Sequence, residues 1–279
     1  MDVLLSAAGS GLWFIIGALV AGVFEIFRER HKLGHVRRFI SESAQVHIIC
    51  SSVQTPNSRQ GEQSETPVPE MTSEGKEHAE FMRAQPDNVL FSPTAEGAAV
   101  ARLYLALHKA AKWRKKLCRK EFRVDLLSEQ NFSPMDSRDP FVCVGGPSLN
   151  AVSKQLIGGC LPQFAISYPG HEVQIGDTLW REPGRRDGRL VEDYGFTLIG
   201  KTPLGTPFII VWGVYAFGTL IATRAYLENW KKFDRGERKK LKEREGLFLV
   251  SHGRVVGFQV VDPIQPVRPQ PQIMVIDIT

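Results

Sequence analysis

A long apolar run near the beginning of the chain limits what this sequence can fold into more than any other feature. From Val3 to Phe27 the chain carries no charged residue until Glu25. A helix of about twenty such residues, rising about 1.5 Å per residue, is long enough to cross a hydrocarbon core of about 30 Å. The sequence therefore predicts a transmembrane helix over residues 1–27.

The charges that flank this run predict its orientation. Asp2 is the only charged residue before the run, whereas Arg28, Arg30 and Lys32 follow it closely. Basic residues stay in the cytoplasm, so we expect the N-terminus outside and the remainder of the chain inside. Asp2 and the charged exit argue against a cleaved signal peptide. We thus expect a single-pass protein of the cell membrane, with the lipid bilayer as a partner and residues 28–43 as a basic juxtamembrane segment.

Composition and charge narrow the class of the remaining chain. Its 279 residues are 43% hydrophobic and 23% charged, as in ordinary globular proteins. The net charge of +5 arises from a few basic clusters, so we expect no specific nucleic-acid binding. The four cysteines show no C-x-x-C spacing, which disfavours a zinc site or a disulfide framework. We predict no metal site, and the sequence identifies no cofactor.

Alternating strand and helix patterns predict one cytoplasmic α/β domain over residues 44–279. Residues 54–76 are polar and rich in Pro, Ser and Glu, which predicts a flexible loop. The predicted strands are 44–53, 122–127, 139–146, 164–167, 172–175, 196–199 and 206–214, and the predicted helices are 94–120, 151–157 and 218–230. A hairpin is expected over 246–261, with its turn at His252 and Gly253, and an edge strand over 272–278. These elements predict a Rossmann-like mixed sheet flanked by helices, with a C-terminal antiparallel hairpin.

Three clusters at predicted strand ends are candidates for a ligand site. In VGGPSLN a strand runs into two glycines and restarts as a helix, which allows backbone amides to approach an anion. The segment GVYAFGT repeats this arrangement after the most hydrophobic strand, and EDYGF is read as a third turn. Ligands of open α/β sheets bind beyond the carboxyl ends of strands, where such turns collect. The alternative is that the glycines serve only the tight connections themselves.

These clusters supply nine candidate ligand-binding residues. Phosphate cradling is expected from the glycines and Thr219, polar anchoring from Asn150 and Asp193, and stacking from Tyr215. The full set is Gly145, Gly146, Ser148, Asn150, Asp193, Tyr194, Tyr215, Gly218 and Thr219. No histidine pairs with a serine or cysteine at a spacing typical of nucleophilic catalysis, so the catalytic residues are unknown.

The order of these motifs resembles that of a group of bacterial membrane-anchored α/β proteins. In that group a strand enters a GGP-x-x-N turn, and a DYG segment precedes a strand ending in a Gly…Gly-Thr helix start. The corresponding segments here are GGPSLN, DYG, and Gly213 followed by Gly218-Thr219, within residues 140–230. A weaker similarity connects them to Rossmann-like segments of archaeal surface-layer proteins. The resemblance implies an α/β fold and carries no established activity.

The functional expectation is a membrane-anchored sensor or effector whose cytoplasmic domain binds a small anionic ligand, such as a nucleotide. Two alternatives stay open. A nucleotide-directed hydrolase would require Asp193 for turnover, whereas a non-catalytic scaffold or interaction protein would tolerate changes at Asn150 and Asp193. Self-association into a homo-oligomer is also left open.

Overall fold

A computed structural model describes a mixed α/β domain. The described residues are 33–40, 43–51, 93–118, 122–161, 164–167, 172–175, 178–180, 184–186, 189–233, 239, 246–256 and 259–268. The helices are α1 (Gly34–Phe39), α2 (Pro93–Cys118), α3 (Ala151–Cys160) and α4 (Ala216–Glu228). The strands are β1 (Gln45–Cys50), β2 (Arg123–Ser128), β3 (Phe141–Val144), β4 (Phe164–Ser167), β5 (Glu172–Ile175), β6 (Thr178–Trp180), β7 (Arg185–Arg186), β8 (Arg189–Leu190), β9 (Glu192–Lys201), β10 (Pro207–Gly213), β11 (Leu247–Val256) and β12 (Gln259–Pro266).

Seven strands form the main sheet, in the order β12-β11-β9-β10-β3-β1-β2. Strands β10, β3, β1 and β2 are adjacent in this order and parallel. Strand β9 pairs antiparallel with β10 on one side and with β11 on the other, and β11 pairs antiparallel with β12. The predicted α/β class, with a mixed sheet, flanking helices and a C-terminal antiparallel hairpin, is therefore confirmed. Two smaller sheets, β4-β5-β6 and β7-β8, accompany it.

The central strands are apolar on both faces because helices cover both sides of the sheet. On one face, side chains of α1, α2 and α4 form a cluster that includes Leu103 and Ile221. On the other face, α3 and the small β4-β6 sheet contribute Leu156 and Val173 to a second cluster around Trp212. Strands β1, β3 and β10 are thus core elements, whereas β2 at the edge of the sheet is partly exposed.

Helix α1 belongs to this core. Val36 and Phe39 are buried against the α2–α4 side, and the His35 ring makes an edge contact with Tyr226 at 4.7 Å between centroids. Within the described part of the chain, no helix combines the length and the apolar character needed to span a membrane. The predicted transmembrane helix over 1–27, the loop over 54–76 and the edge strand over 272–278 lie outside the described residues.

The turn predicted at His252 and Gly253 is wrong. Both residues lie inside β11, where they pair with Tyr194 and Asp193 of β9, and β11 continues to Val256. A Cβ on Gly253 would lie 2.9 Å from two side-chain carbons of Ile221 in α4. This glycine therefore permits close packing between strand and helix, which the sequence pattern does not distinguish from a turn.

The EDYGF segment is also strand rather than turn. It forms the first half of β9, and Gly195 pairs with Gly213 of β10. Because β9 runs antiparallel to β10, the beginning of β9 lies at the same edge of the sheet as the end of β10. The prediction of a turn here is therefore wrong, but the segment does lie at the same edge of the sheet as the end of β10.

Candidate functional site

The turn after β3 depends on the backbone freedom of Gly145. Its φ of +105° lies in a region that L side chains rarely adopt, and its amide donates to the carbonyl of Val211 in β10 at 3.0 Å. A Cβ at this position would lie 2.8 Å from the Oγ of Ser51, just beyond β1. The glycine therefore brings the ends of β1, β3 and β10 together.

Asn150 fixes the other end of this turn. It is buried at the N-cap of α3, where its Oδ1 accepts from the Ser153 amide at 3.0 Å and its Nδ2 donates to the Val144 carbonyl at 3.2 Å. Both ends of the side chain are thus committed to the backbone. Asn150 therefore stabilises the conformation of the β3–α3 turn.

The first amide of α3 already contacts a carboxylate of the chain itself. The Ala151 amide donates to Oε2 of Glu129, which lies in the short 3₁₀ helix after β2. A negative side chain at a helix N-terminus stabilises the helix for the same reason that an external phosphate would. In contrast, no hydrogen bond within the described part of the chain uses the amides of Gly146 and Ser148.

Asp193 provides a carboxyl group to the N-terminus of α4, as Glu129 does for α3. Its Oδ1 accepts from the amides of Tyr194 at 2.8 Å and Tyr215 at 3.4 Å, and its Oδ2 accepts from Gly218 at 2.5 Å. The side chain is fully buried, and burial raises its pKa well above the ordinary value for a carboxyl, although the hydrogen bonds from the three amides act in the opposite direction. A carboxylate from a neighbouring strand thus caps α4.

Three glycines let α4 lie directly on the sheet. A Cβ on Gly218 would lie 2.1 Å from the Tyr194 carbonyl oxygen, and one on Gly213 would lie 2.3 Å from the Gly218 Cα. On Gly195 it would lie 2.4 Å from the Ala222 amide nitrogen. These close approaches occupy the space around Gly218, and the neighbouring Thr219 is buried as well.

Tyr215 and Tyr194 have separate partners at this edge. The guanidinium of Arg185 donates to the Tyr215 hydroxyl at 2.9 Å and lies 5.2 Å from its ring centroid. Tyr194 packs beside His252, with 5.1 Å between ring centroids, and burial followed by the charge of Glu192 raises its pKa. Tyr215 therefore brings a cation to the β10–α4 turn.

The structure brings the two predicted turns together. Because β3 and β10 are adjacent and parallel, their carboxyl ends lie at one edge. A Cβ on Gly146 would contact Trp212 near the end of β10 at 3.3 Å. The first four candidate residues surround the β3–α3 turn, and the last five surround the β9–β10–α4 junction. Their proposed ligand contacts stay predictions.

Four further residues of this edge were missed by sequence reasoning: Ser51, Glu96, Glu129 and Arg185. Ser51 and Glu96 meet at Gly145, because a Cβ there would also lie 3.9 Å from Oε1 of Glu96 in the first turn of α2. Their proximity depends on β1 lying next to β3, which the sequence does not specify. The position of Ser51 after a buried apolar strand was the one available signal.

Glu96 gives this edge a testable pH dependence. Burial raises its pKa above the ordinary value of 4.5, so the folded protein keeps the proton at a pH where the unfolded chain has lost it. The stability contributed by this protonation is complete below the unfolded pKa and is lost as pH rises through the raised folded pKa. Relative to wild type, Glu96→Gln should therefore gain stability as the pH rises above about 4, where the unfolded chain begins to lose this proton. Urea denaturation across this range measures it, and a pH-independent difference would contradict the assignment.

A separate concavity lies at the opposite edge of the sheet. Phe39, Arg138, Leu204 and Thr206 help line a cavity of about 470 Å³ beside the β9–β10 connection. It does not join the two turns described above. Within the described ranges, no group of three or more His, Cys, Asp or Glu side chains is arranged to hold a metal ion.

Comparison of the chain with protein-family models, with curated proteins and with solved structures gives no match.

Proposed function

We propose that this chain is a membrane-anchored sensor or effector whose Rossmann-like cytoplasmic domain binds a small phosphorylated ligand such as a nucleotide. The observation that carries the proposal is the adjacency of the β3–α3 and β10–α4 turns at the carboxyl edge of parallel strands. In open α/β sheets, ligands bind at this edge where the strand order reverses. Here the reversal lies between β1 and β3, since the chain proceeds from β1 outward to β2 and then returns to β3.

The chemistry available at this edge suits a phosphate better at the first turn than at the second. The amides of Gly146 and Ser148 can donate to a ligand oxygen, whereas the Gly218 amide already donates to Asp193. Arg185 adds positive charge beside Tyr215, and the Tyr215 ring offers a surface next to the turn. We place the phosphate at Gly146 and Ser148, with Arg185 and Tyr215 on the flank.

A non-catalytic scaffold is the second candidate, and one observation favours it. Glu129 and Asp193 supply carboxylates to the N-termini of α3 and α4, so both helices are capped without a ligand. The hydrolase alternative has less support, because Asp193, which it requires to act on substrate, is fully buried against three amides.

Thermal stabilisation of the full chain in detergent micelles distinguishes ligand binding from a scaffold. Nucleotides, cyclic nucleotides and sugar phosphates are added in turn, and a ligand at about a hundred times its dissociation constant contributes about 2.7 kcal/mol of stability. A selective rise in melting temperature supports the proposal. No rise with any member of the panel contradicts it and favours the scaffold.

Arg185→Gln is expected to weaken binding of the ligand so identified by about tenfold, because a charge-assisted hydrogen bond is lost. Arg186→Gln is the matched control: it removes the same charge from the next exposed residue of β7, whose side chain alternates to the other face. Isothermal titration calorimetry measures both. Equal losses in the two variants would show that Arg185 acts only through overall charge.

A further inference from the structure

Two oxygen-bearing side chains converge where the strand order reverses between β1 and β3. Ser51 follows the last residue of β1, and Glu96 lies in the first turn of α2. The Ser51 Oγ and a Glu96 Oε1 lie 2.8 and 3.9 Å from the position that a Cβ on Gly145 would take. The two side chains therefore face the same short stretch of backbone from different elements.

Both side chains lack hydrogen-bond partners in the described structure. The Ser51 Oγ is buried and has no hydrogen-bond partner among the residues that the structure describes. No hydrogen bond or ion pair joins the Glu96 carboxyl to another of the described residues. Buried polar groups in folded proteins are almost always paired, so the unpaired Ser51 hydroxyl beside the half-buried Glu96 carboxyl requires an explanation. A bound ligand would supply the missing hydrogen-bond partner, and ligands of open α/β sheets bind where the strand order reverses, as it does here.

The chemistry of these two groups selects hydroxyls over anions. A carboxyl group offers two oxygens that can accept from neighbouring hydroxyls, and a serine hydroxyl can both donate and accept. Either form of the Glu96 carboxyl can bind a hydroxyl, whereas an anionic ligand group placed directly on it would be repelled whenever the carboxyl is ionised. Burial favours the neutral form of Glu96 through its raised pKa, which reduces repulsion of a phosphate bound nearby.

We propose that Ser51 and Glu96 form a hydroxyl-binding subsite that receives the sugar of a phosphorylated ligand. This inference rests on the proposed function, because Gly145, which both side chains face, directly precedes Gly146, where we place the phosphate. Sugar and phosphate positions thus adjoin as they do in a nucleotide. The ligand class is thereby narrowed to ribonucleotides and related sugar phosphates, and inorganic phosphate and acyl phosphates are disfavoured.

Matched ribonucleotides and deoxyribonucleotides test the subsite. Calorimetric titration of the full chain in detergent uses the common ribonucleoside monophosphates, their 2′-deoxy counterparts and inorganic phosphate. The ribonucleotide should bind about tenfold tighter than its deoxy form, as expected for the loss of one hydrogen-bonded hydroxyl. Ser51→Ala and Glu96→Ala, which remove the hydroxyl and the carboxyl altogether, should each remove most of this preference and leave the deoxy affinity nearly unchanged.

Asp136→Asn serves as the charge control, because Asp136 is exposed and precedes β3 at the opposite edge. The melting temperature of each variant without ligand shows that it is folded. A nucleotide that binds wild type and both variants equally, with no preference for the ribose form, overturns the subsite and leaves the proposed function standing. Failure of every nucleotide and of inorganic phosphate to bind overturns both.

Discussion

Replacing Gly218 with alanine is expected to lower the free energy of unfolding by about 4 kcal/mol or more, or to prevent folding altogether. The added Cβ would lie 2.1 Å from the Tyr194 carbonyl oxygen and 2.6 Å from the Gly213 Cα, and both are backbone atoms. Relief would require α4 to move away from the sheet. That movement would break the contact between the Gly218 amide and Asp193.

Gly97→Ala is the matched control for this substitution. Gly97 lies on an exposed part of α2, and nothing lies within 4 Å of the position that its Cβ would take. Alanine should therefore stabilise the protein by about 0.5–1 kcal/mol through helix propensity alone. Urea denaturation of the two variants gives both values. Similar stabilities for the two would show that α4 does not pack on the sheet as described.

Asp193→Ala is expected to destabilise the protein by about 3 kcal/mol. The substitution removes the acceptor for the partly buried Tyr194 and Tyr215 amides, and the Gly218 amide keeps only its contact with the Tyr215 carbonyl at 3.0 Å. Each buried donor left unsatisfied costs about 1–3 kcal/mol, and relaxation of the α4 N-terminus offsets part of the total.

Asp136→Ala removes a carboxylate that is exposed, and it should change stability by less than about 0.5 kcal/mol. If Asp193 acted on a ligand and not as a cap, Asp193→Ala would keep wild-type stability and lose only ligand binding. That result would revive the hydrolase alternative.

The elements of the sheet could be predicted from the sequence, but their order could not. Runs such as 141–144 and 207–213 are continuous and apolar because they are buried on both faces, and this pattern is visible locally. The adjacency of β1 to β3 and the insertion of β9 beside β10 depend on pairing between distant segments. The wrong prediction of a turn at Gly253 has a similar origin. The position has room only for glycine because Ile221 of α4 packs against it, and the local sequence does not show this contact.

The same limit explains why the sequence predicts only part of the residue arrangement at this edge. The GGPSLN turn was found because a helix start after two glycines is a local signal. The role of Asp193 was not found, because its main acceptor contact reaches an amide at Gly218, well along the chain. Ser51 and Glu96 were missed because they become neighbours of Gly145 only when β1 and β3 pair, and the sequence does not specify that pairing.

Amide hydrogen exchange of the full chain, measured by mass spectrometry with and without saturating ribonucleoside monophosphates, tests the central claim most directly. If the carboxyl edge holds the phosphate, the ligand should slow exchange in peptides that cover Gly146 and Ser148, whose amides the described structure leaves available. Peptides at the opposite edge, around Leu204, should be unchanged. Unaltered exchange at Gly146 and Ser148 under saturating ligand, or protection confined to the opposite edge, would contradict the account.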